Sequence, residues 1–540
     1  MKFNSPSPHT LALLSLALAA SCTADAPRLA QPVNVVLIVL DTLRADYVLD
    51  PGQEVDSPRI DALAADGVSF TSAFSHAPMT LPSHTSLLSS QVPHVTGVAL
   101  NNQQIPKRVP MLAEWLKVQG YETGAVTSIA TLGSQKKVFG IERGFDTYDL
   151  NYLGPIPAAP ITQARLIPEL RRLAATKKPF FLFAHYSDPH LPYNVHDDSV
   201  MRSARIELDG ELVAEPTLSQ MSVVEQEFDL GPGSHVFELS SEFPFRYDAK
   251  LDYDESKLQF LAPQEGDFVN GGRGAHTFLR MVTRWNNPTD APLKLKTTLW
   301  LGEEASPEEK LDRYPGELEF VDRYVGELLA ELESLELYDE SLILFTSDHG
   351  EALGEHNYWG HSLNLFDELL HVPLIIKLPA KHTGSAKLSE LTDLPVAHID
   401  LVPTILDVLG LPDLPGQMGL SLLEQDRDGR APLFAATHLP EAVPADGSDG
   451  RGDDLISLRD SQYKLIYLRT HDRFEMYDLQ NDPGEQADVF EQHGNKRADW
   501  QVELRAAAKS LGEVNFEAIR KSATADDKQT WGALGYGQDD

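Results

Sequence analysis

The stretch VNVVLIVLD at residues 33–41 is a continuous run of β-branched and apolar residues that ends at an acidic residue, Asp41. Strands that are buried on both faces of a parallel sheet have this pattern, whereas half-exposed strands alternate apolar and polar residues. Segments of the same kind follow later, at residues 124–128, 180–185 and 342–345, with helical patterns between them. Alternation of helices with buried strands predicts an α/β fold with a doubly wound, mostly parallel sheet.

The segments outside these strands have a different texture. Between residues 200 and 305, apolar and polar residues alternate between turn clusters, which predicts antiparallel strands in an inserted β-sandwich. The end of the chain mixes strand patterns with a late amphipathic helix near residues 497–511, which predicts a small α+β subdomain. We therefore expect an interrupted α/β domain and two attachments: residues 33–199 and 306–420 for the α/β domain, 200–305 for the β-sandwich and 421–540 for the C-terminal subdomain.

Composition and charge narrow the class of function. The chain has 540 residues and 42% hydrophobic residues, which is typical of a folded protein of several domains. Its formal net charge of −36 argues against a nucleic-acid partner, because phosphate backbones are bound by neutralising Lys and Arg side chains. A small anionic substrate is not excluded, since it meets only the local charge of a site.

The N-terminus has the features of an export signal. Lys2 precedes an apolar run at residues 11–20, and Ser21 and Cys22 follow it. A run this short with small residues behind it is typical of a secretory signal peptide. Because Cys22, the only cysteine, stands where bacterial lipoproteins are cleaved, we expect a signal peptide at residues 1–21 and a diacylated Cys22; a plain signal peptide cut nearby is the alternative. The protein is then exported to the bacterial periplasm or outer membrane as a lipoprotein, and it contacts the membrane only through this anchor.

Polar residues that follow the predicted strands are the candidate site residues, because open α/β sheets bind ligands at the carboxyl ends of their strands. They are Asp41, Thr80, His185, Asp188, His190, Asp348 and His349. Taken singly, each has a structural explanation, such as a helix cap for Asp41 or Thr80. Carboxylates, imidazoles and a hydroxyl on one edge predict a divalent metal site, and a helix N-terminus at Thr80 favours an anion.

Longer motifs around these residues resemble the sulfatase family of the alkaline phosphatase superfamily. The matching segments are NVVLIVLDTLRAD at 34–46, APMTLPSHTSLL at 77–88, FAHYSDPHLPY at 183–193, FTSDHGEALGEH at 345–356, WGH at 359–361, DLVPTILD at 400–407 and MYDLQNDPGE at 476–485. The likeness covers roughly residues 33–199 and 306–490. It implies an alkaline-phosphatase-like fold and a metal-dependent ester hydrolase in which Thr80 stands at the position of the nucleophile.

The sequence departs from the sulfatase pattern at several functional positions. The family's C/S-x-P-x-R segment, whose Cys or Ser is oxidised to formylglycine, reads Thr80-x-Pro82-x-His84, and oxidation of a threonine gives a ketone instead of an aldehyde. The usual Asp-Asp pair is Asp41-Thr42, and Asp-Asn is Asp348-His349. The Gly-Lys-x-x-His segment is replaced by residues 126–128, so most of the Lys, Arg and His residues that bind sulfate in the family are missing.

The residues that remain resemble the metal set of phosphodiesterases and lipid-headgroup phosphotransferases of the superfamily. This set is Asp41, Thr80, Asp348 and His349, and it implies manganese or zinc, with calcium as the alternative, because imidazole is a poor ligand for calcium. His361, with Asp188 and His190, forms a second metal site or holds the leaving group, and we favour the second role. The resemblance thus implies Thr80, His190 and His361 as catalytic residues and His84, His185 and Asp188 as substrate-binding residues.

Three functions compete on these grounds. The first is hydrolysis of a sulfate or phosphate ester, small or linked to a glycan, through a covalent threonyl intermediate; phosphate is favoured because Thr80 replaces the formylglycine precursor. The second is transfer of a phosphoryl-linked headgroup, although such relatives usually carry several membrane spans and no later segment of this sequence has the roughly 18 apolar residues of a span. The third is an inactive surface lipoprotein whose insert binds glycan.

Overall fold

The computed structural model describes thirteen parts of the chain: residues 33–49, 55–101, 103–133, 138–150, 158–191, 193, 204–216, 222–253, 257–269, 277–303, 307–424, 432–438 and 454–511. The expected signal peptide and Cys22 lie outside these residues. Within them, no helix combines the length and the apolar character that crossing a membrane requires.

The helices and strands follow one another in three stretches. The first contains β1 (Asn34–Leu40), α1 (Asp46–Leu49), α2 (Pro58–Asp66), β2 (Val68–Phe74), α3 (Thr80–Ser89), α4 (Pro93–Thr96), α5 (Leu112–Val118), β3 (Glu122–Val126), β4 (Thr147–Asp149), α6 (Ala159–Ala175) and β5 (Phe180–Tyr186). The second contains β6 (Ala204–Leu208), β7 (Glu211–Ala214), β8 (Ser222–Leu230), β9 (Gly233–Tyr253), β10 (Gln259–Val269), β11 (Thr277–Asn287) and β12 (Leu293–Glu303). The third contains α7 (Pro307–Ser334), β13 (Ser341–Ser347), β14 (Ala352–Leu353), β15 (Trp359–Gly360), α8 (Asp367–Leu370), β16 (His371–Lys377), α9 (Ser385–Ser389), β17 (Val396–Ala397), α10 (Leu401–Leu409), β18 (Leu433–His438), β19 (Asp454–Arg459), β20 (Tyr463–Leu468), β21 (Arg473–Asp478), α11 (Phe490–His493) and α12 (Ala498–Leu511).

The central sheet confirms the predicted mostly parallel α/β architecture. Its eight strands are ordered β17-β2-β16-β13-β1-β5-β3-β4, and only β16 runs antiparallel to both of its neighbours. Strands β1, β5 and β13 are buried along their whole length, as their continuous apolar patterns predict. Leu40, the last residue of β1, pairs with Tyr186 of β5 and Ser347 of β13. The three strands therefore end at the same edge of the sheet.

Helices cover both faces of this sheet. Side chains of β1 alternate between two buried clusters, one shared with α3, α5 and α10 and the other with α2, α6 and α7. Burial of each Val, Leu or Ile side chain stabilises the fold by about 1.5–3 kcal/mol. The double cover explains why the central strands read as unbroken apolar runs.

The second stretch forms a separate antiparallel sheet, as its alternation predicts. Its main path is β10-β11-β9-β12-β8, and β6 joins β9 and β7. The long strand β9 pairs with β11 and β6 near its start and with β12 near its end. Buried side chains from both halves belong to one apolar cluster. The division at residues 200 and 305 and the β-sandwich arrangement stay predictions.

A four-stranded antiparallel sheet, β18-β19-β20-β21, packs against α12 near the end of the chain. A buried ion cluster links it to the central domain, because Lys464 Nζ on β20 lies 2.5 Å from Asp367 Oδ1 on α8 and 2.7 Å from Glu485 Oε1. Lys464 is fully buried. This sheet is thus held in place by charge pairing as well as by apolar contacts.

Candidate active site

Three buried side chains meet where β1 and β13 end. Asp41 follows β1, and Asp348 and His349 follow β13; all three are fully buried. One ligand atom from each lies within 4.8 Å of the other two. The parallel register of the two strands brings these residues together although they are about 300 positions apart in the chain.

Hydrogen bonds engage one polar atom of Asp348 and one of His349, and the other polar atom of each side chain faces the other residue. Asp348 Oδ1 accepts hydrogen bonds from the backbone N–H groups of Thr42 and His349, at 3.2 and 2.8 Å, whereas Oδ2 accepts none from the described residues. His349 Nδ1 lies 2.9 Å from the carbonyl oxygen of Gly350 and donates to it, so the neutral ring carries its lone pair on Nε2. His349 Nε2 lies 3.4 Å from Asp348 Oδ2. Two acceptors held this close favour a cation between them, and the donor set fits a divalent metal ion.

Thr80 is the first residue of α3, so it lies at a helix N-terminus as expected. Met79, at the N-cap position, has an extended backbone with φ −146° and ψ 142°. The Thr80 hydroxyl is fully buried and makes no hydrogen bond within the described residues. An unpaired buried hydroxyl costs about 1–3 kcal/mol, so its retention is better explained by a ligand that completes it.

Helix α3 is anchored on the carboxylate cluster one turn after Thr80. Ser83 Oγ donates a hydrogen bond of 2.6 Å to the carbonyl oxygen of Asp348. His84 Nδ1 donates to the carbonyl oxygen of Thr80 at 2.7 Å and lies 3.6 Å from Asp348 Oδ2. These contacts bring the N-terminus of the helix to Asp41, Asp348 and His349, the candidate metal site.

His185, at the end of β5, faces the other carboxylate. Ser128 Oγ donates to the carbonyl oxygen of His185 at 2.8 Å and accepts from its Nδ1 at 3.0 Å. His185 Nε2 then points its lone pair toward Asp41 Oδ2, 3.5 Å away. Ser128 lies in the segment that replaces the expected Gly-Lys-x-x-His motif, so the serine has become a support for this imidazole.

Three further residues complete the cluster of imidazoles and acids. The ring centroid of His361 lies 5.0 Å from that of His190 and 4.7 Å from that of His349. His361 Nδ1 lies 3.0 Å from Oε1 of Glu351, which is fully buried. Sequence reasoning missed Glu351, although it lies two residues after His349 in a motif that already held two candidates. Asp188 is buried in the loop that contains His190, but it does not belong to the candidate metal site.

Burial shifts the pKa values of these groups so that the neutral form of each one is favoured. Desolvation raises the pKa values of Asp41 and Asp348, and it raises the pKa of Glu351 to about 7. Desolvation also lowers the pKa values of His84, His185 and His349 to about 4, and that of His361 to about 3. Each shift disfavours the charged form, and a bound cation would reverse the shifts of the carboxylates.

The buried basic side chains of the described residues are paired with groups other than the carboxylates of this cluster. Arg44 pairs with Asp46 and Glu355 and donates to the backbone carbonyl oxygen of Glu351. The others bind the Tyr338 carbonyl or the charge cluster of the C-terminal sheet; they are Lys377, Arg459 and Lys464. Among the described residues, the polar side chains of the cluster are therefore imidazoles, carboxylates and hydroxyls, without an ammonium or guanidinium group.

Comparisons with known proteins agree with this architecture. The Sulfatase family model matches residues 33–411, and a model described as N-sulphoglucosamine sulphohydrolase, C-terminal, matches residues 354–510. The choline-sulfatase of Rhizobium meliloti (strain 1021) is 23% identical over 518 residues, covering 91% of this chain and 92% of its own length. The N-acetylglucosamine-6-O-sulfatase of Bacteroides thetaiotaomicron is 22% identical over 533 residues, covering 91% and 88%.

Solved structures share the fold over nearly the whole chain. The phosphonate monoester hydrolase of Agrobacterium radiobacter superposes with a TM-score of 0.59 at 18% sequence identity, covering 89% of this chain and 96% of its own. At this level of identity the likeness shows a shared fold.

Proposed function

The chain belongs to the sulfatase family of the alkaline phosphatase superfamily and is an ester hydrolase, and on this basis we propose that it cleaves phosphate esters through a covalent intermediate on an unmodified Thr80. The family assignment supports hydrolysis of sulfate or phosphate esters. The preference for phosphorus and the threonyl intermediate are the finer part of the proposal.

One observation carries the proposal: the Thr80 hydroxyl is buried without a hydrogen-bond partner among the described residues, at the N-terminus of a helix anchored on Asp348. Helix N-termini favour anions through their free N–H groups and the helix dipole. A nucleophile in this position can attack a tetrahedral oxyanion ester held against the helix.

The chemistry of threonine favours phosphorus over sulfur. A formylglycine hydrate expels sulfate by collapsing to an aldehyde, and a threonyl ester has no such route. Water must instead attack the central atom of the covalent intermediate. Phosphorus accepts that attack, and the absence of buried Lys and Arg side chains from the described cluster weakens a pocket for sulfate.

Asp41, Asp348 and His349, together with the Thr80 hydroxyl, are the residues that would hold a divalent ion, with manganese or zinc favoured over calcium by the imidazole ligand. When bound, the ion lowers the pKa of the threonine hydroxyl and offsets the charge of the reacting group. The amide groups at the start of α3 would bind the substrate's oxyanion, and a histidine beside Glu351 would protonate the leaving alcohol.

Charge balance narrows the ester further. Three buried carboxylates, Asp41, Asp348 and Glu351, surround the site, so a single divalent ion leaves these groups with one net negative charge when all three are ionised. A substrate group with one negative charge then costs less to bind than one with two. We therefore favour phosphate diesters and phosphonate monoesters over phosphate monoesters. Because two relatives are named for choline sulfate and a sulfated sugar, the substrate is a small or glycan-linked anionic ester.

Export and lipidation at Cys22 are part of the proposal for the cellular site of action. The support is the short apolar run before Cys22 in the sequence. Cell fractionation and mass spectrometry of the mature N-terminus test it. Full-length protein with Met1 intact in the cytosol would contradict export, and cleavage without lipid would contradict only the anchor.

An activity panel tests the proposed reaction. The purified protein is assayed with aryl sulfate, phosphate monoester, phosphate diester and phosphonate monoester in the presence of Mn²⁺, Zn²⁺ or Ca²⁺. We expect the highest kcat/KM with a phosphorus ester, and a loss of about 10³-fold or more in Thr80→Ala. Thr85→Ala is the matched control, because Thr85 lies in the same helix and its hydroxyl donates, among the described residues, to the carbonyl oxygen of Leu81.

Two results would contradict the proposal. One is a clear preference for the sulfate over the matching phosphorus ester. The other is a mass for the Thr80 peptide that differs from the unmodified value. Both would leave the family assignment standing.

A further inference from the structure

We infer that Glu351 is a positioning residue that holds His361 as the acid–base group of the reaction, an inference that rests on the ester hydrolysis proposed above. Glu351 and His361 are ten positions apart, and the loop that contains β14 and β15 brings them together. The pair lies beside the candidate metal site, since the His361 ring contacts the ring of His349.

The five imidazoles of the site differ in what holds them. His84, His190 and His349 each donate from Nδ1 to a backbone carbonyl oxygen, and His185 donates to the hydroxyl of Ser128. His361 is different, because its Nδ1 faces the carboxylate of Glu351 at 3.0 Å. A carboxylate on Nδ1 fixes the tautomer and stabilises the imidazolium, whereas a carbonyl group supports the neutral ring more than the cation.

The position of Glu351 is fixed by its surroundings. It is fully buried, and Tyr193 and the imidazoles of His190 and His349 face it, with Lys310 also contributing positive charge. The preceding Gly350 lies so close to the backbone of α8 that a Cβ atom would be 2.1 Å from the Glu368 carbonyl oxygen. A side chain at that position would displace the strand end, so the backbone that carries Glu351 has little freedom.

His361 is also the most accessible imidazole of the five. It is 9% exposed, His190 is 3% exposed, and the other three are fully buried. The leaving alcohol must depart toward solvent, so the more accessible ring is the better placed to protonate it. His190, held by the carbonyl oxygen of Leu191, is left to bind the substrate in its neutral form.

The proton transfers of the two steps balance. In the first step the Thr80 alkoxide forms the Oγ–P bond, and the bond from phosphorus to the leaving oxygen breaks with its electron pair on that oxygen. His361 starts this step as the imidazolium, which the Glu351 carboxylate at Nδ1 stabilises against the cost of burial. Its Nε2 gives a proton to the leaving oxygen, which departs as an alcohol. In the second step water gives a proton to Nε2 while its oxygen attacks phosphorus, and the P–Oγ electron pair returns to Thr80. Ester and water thus become alcohol and phosphoryl product, and both side chains regain their starting state.

Leaving-group dependence tests the role of Glu351. The kcat/KM values of the metal-loaded wild type and of Glu351→Gln are measured with the 4-nitrophenyl and benzyl monoesters of phenylphosphonate. A poor leaving group needs the proton and a good one does not, so we expect a loss of about 10²-fold with the benzyl ester and less than about threefold with the nitrophenyl ester. His361→Gln should show the same pattern, and the double variant no further loss. Glu351→Asp, which keeps the charge, should recover part of the activity.

The matched control is Glu368→Gln, which removes a second carboxylate–histidine pair outside the site, from Glu368 Oε1 to His356 Nδ1 at 2.9 Å. It should leave the leaving-group dependence unchanged. Equal losses of Glu351→Gln on both esters, with loss of bound metal by elemental analysis, would make Glu351 a ligand and overturn the inference, as would unchanged kinetics. If the wild type prefers sulfate esters, 4-nitrophenyl and benzyl sulfate replace the phosphonates. The role of Glu351 is then tested independently of the preference for phosphorus esters.

Discussion

At the scale of single residues, the site is defined by buried polar atoms that make no hydrogen bond within the described part of the protein. Both carboxylate oxygens of Asp41, Oδ2 of Asp348, Nε2 of His349 and the Thr80 hydroxyl are buried and make no hydrogen bond there. Such atoms are expensive to bury, and most are paired in native proteins. Their convergence at one edge of the central sheet is the strongest structural argument for a bound cation and an oxyanion.

The metal assignment yields a prediction at this scale. Asp348→Ala removes the carboxylate shared by the cluster, so the purified variant should lose its metal ion in elemental analysis. Asp322→Asn is the control, because its carboxylate accepts hydrogen bonds from the backbone N–H groups of Arg59 and Ile60 at the start of α2. That variant should lose about 1 kcal/mol of stability and keep its metal. One equivalent of metal retained by the double variant lacking Asp41 and Asp348 would refute the assignment.

At the scale of elements, helix α3 carries the nucleophile and its anchor determines where the nucleophile lies. Ser83 Oγ lies 3.1 Å from Ser75 Oγ and donates to the Asp348 carbonyl oxygen, so one hydroxyl joins the helix to the ends of two strands. A small displacement of this turn would move Thr80 relative to the cluster. Catalysis is sensitive to misplacements of about 1 Å.

Ser83→Ala should therefore lower kcat by about tenfold while the free energy of unfolding falls by only about 1 kcal/mol. Ser86→Ala provides the comparison on the same helix, because the Ser86 hydroxyl is buried but makes no hydrogen bond within the described residues. It should keep the wild-type kcat. Steady-state kinetics and chemical denaturation measure both quantities, and equal kcat values for the two variants would show that the anchor is not needed.

At the scale of the whole molecule, buried charges join the C-terminal sheet to the central domain. Asp367 on α8 receives Lys464 and Arg459 from the sheet, and Lys464 also pairs with Glu485. The two positive charges hold the pKa of Asp367 well below its usual range, despite the opposing effect of burial. Removal of one partner from a buried pair leaves an uncompensated charge, at a cost of about 3–5 kcal/mol.

Lys464→Met should accordingly lower the Tm by several degrees, and the C-terminal sheet should become sensitive to proteolysis before the central domain does. Arg505→Met removes a surface pair with Asp472 and should leave the Tm unchanged, because solvent screens that interaction. Differential scanning calorimetry and limited proteolysis compare the two. A Tm of Lys464→Met equal to that of Arg505→Met would show that the ion cluster does not hold the sheet in place.

The amino-acid sequence by itself determined the α/β class, the family and the residues that follow β1, β5 and β13. Burial on both faces requires unbroken apolar runs, and these are visible in short windows of sequence. The likeness to sulfatases rests on motifs that are also local. Candidate residues could be named in this way because the carboxyl ends of parallel strands share one edge.

Only the tertiary structure decided how those residues are connected. The reversed direction of β16, the partner of each imidazole Nδ1, and the pairing of Glu351 with His361 depend on groups brought together by packing of distant segments. A histidine has no local signal that tells whether a carbonyl oxygen or a carboxylate will face its ring, because that partner is set by the register of neighbouring strands and the path of loops. The chemistry of each histidine in this protein therefore follows from its fold.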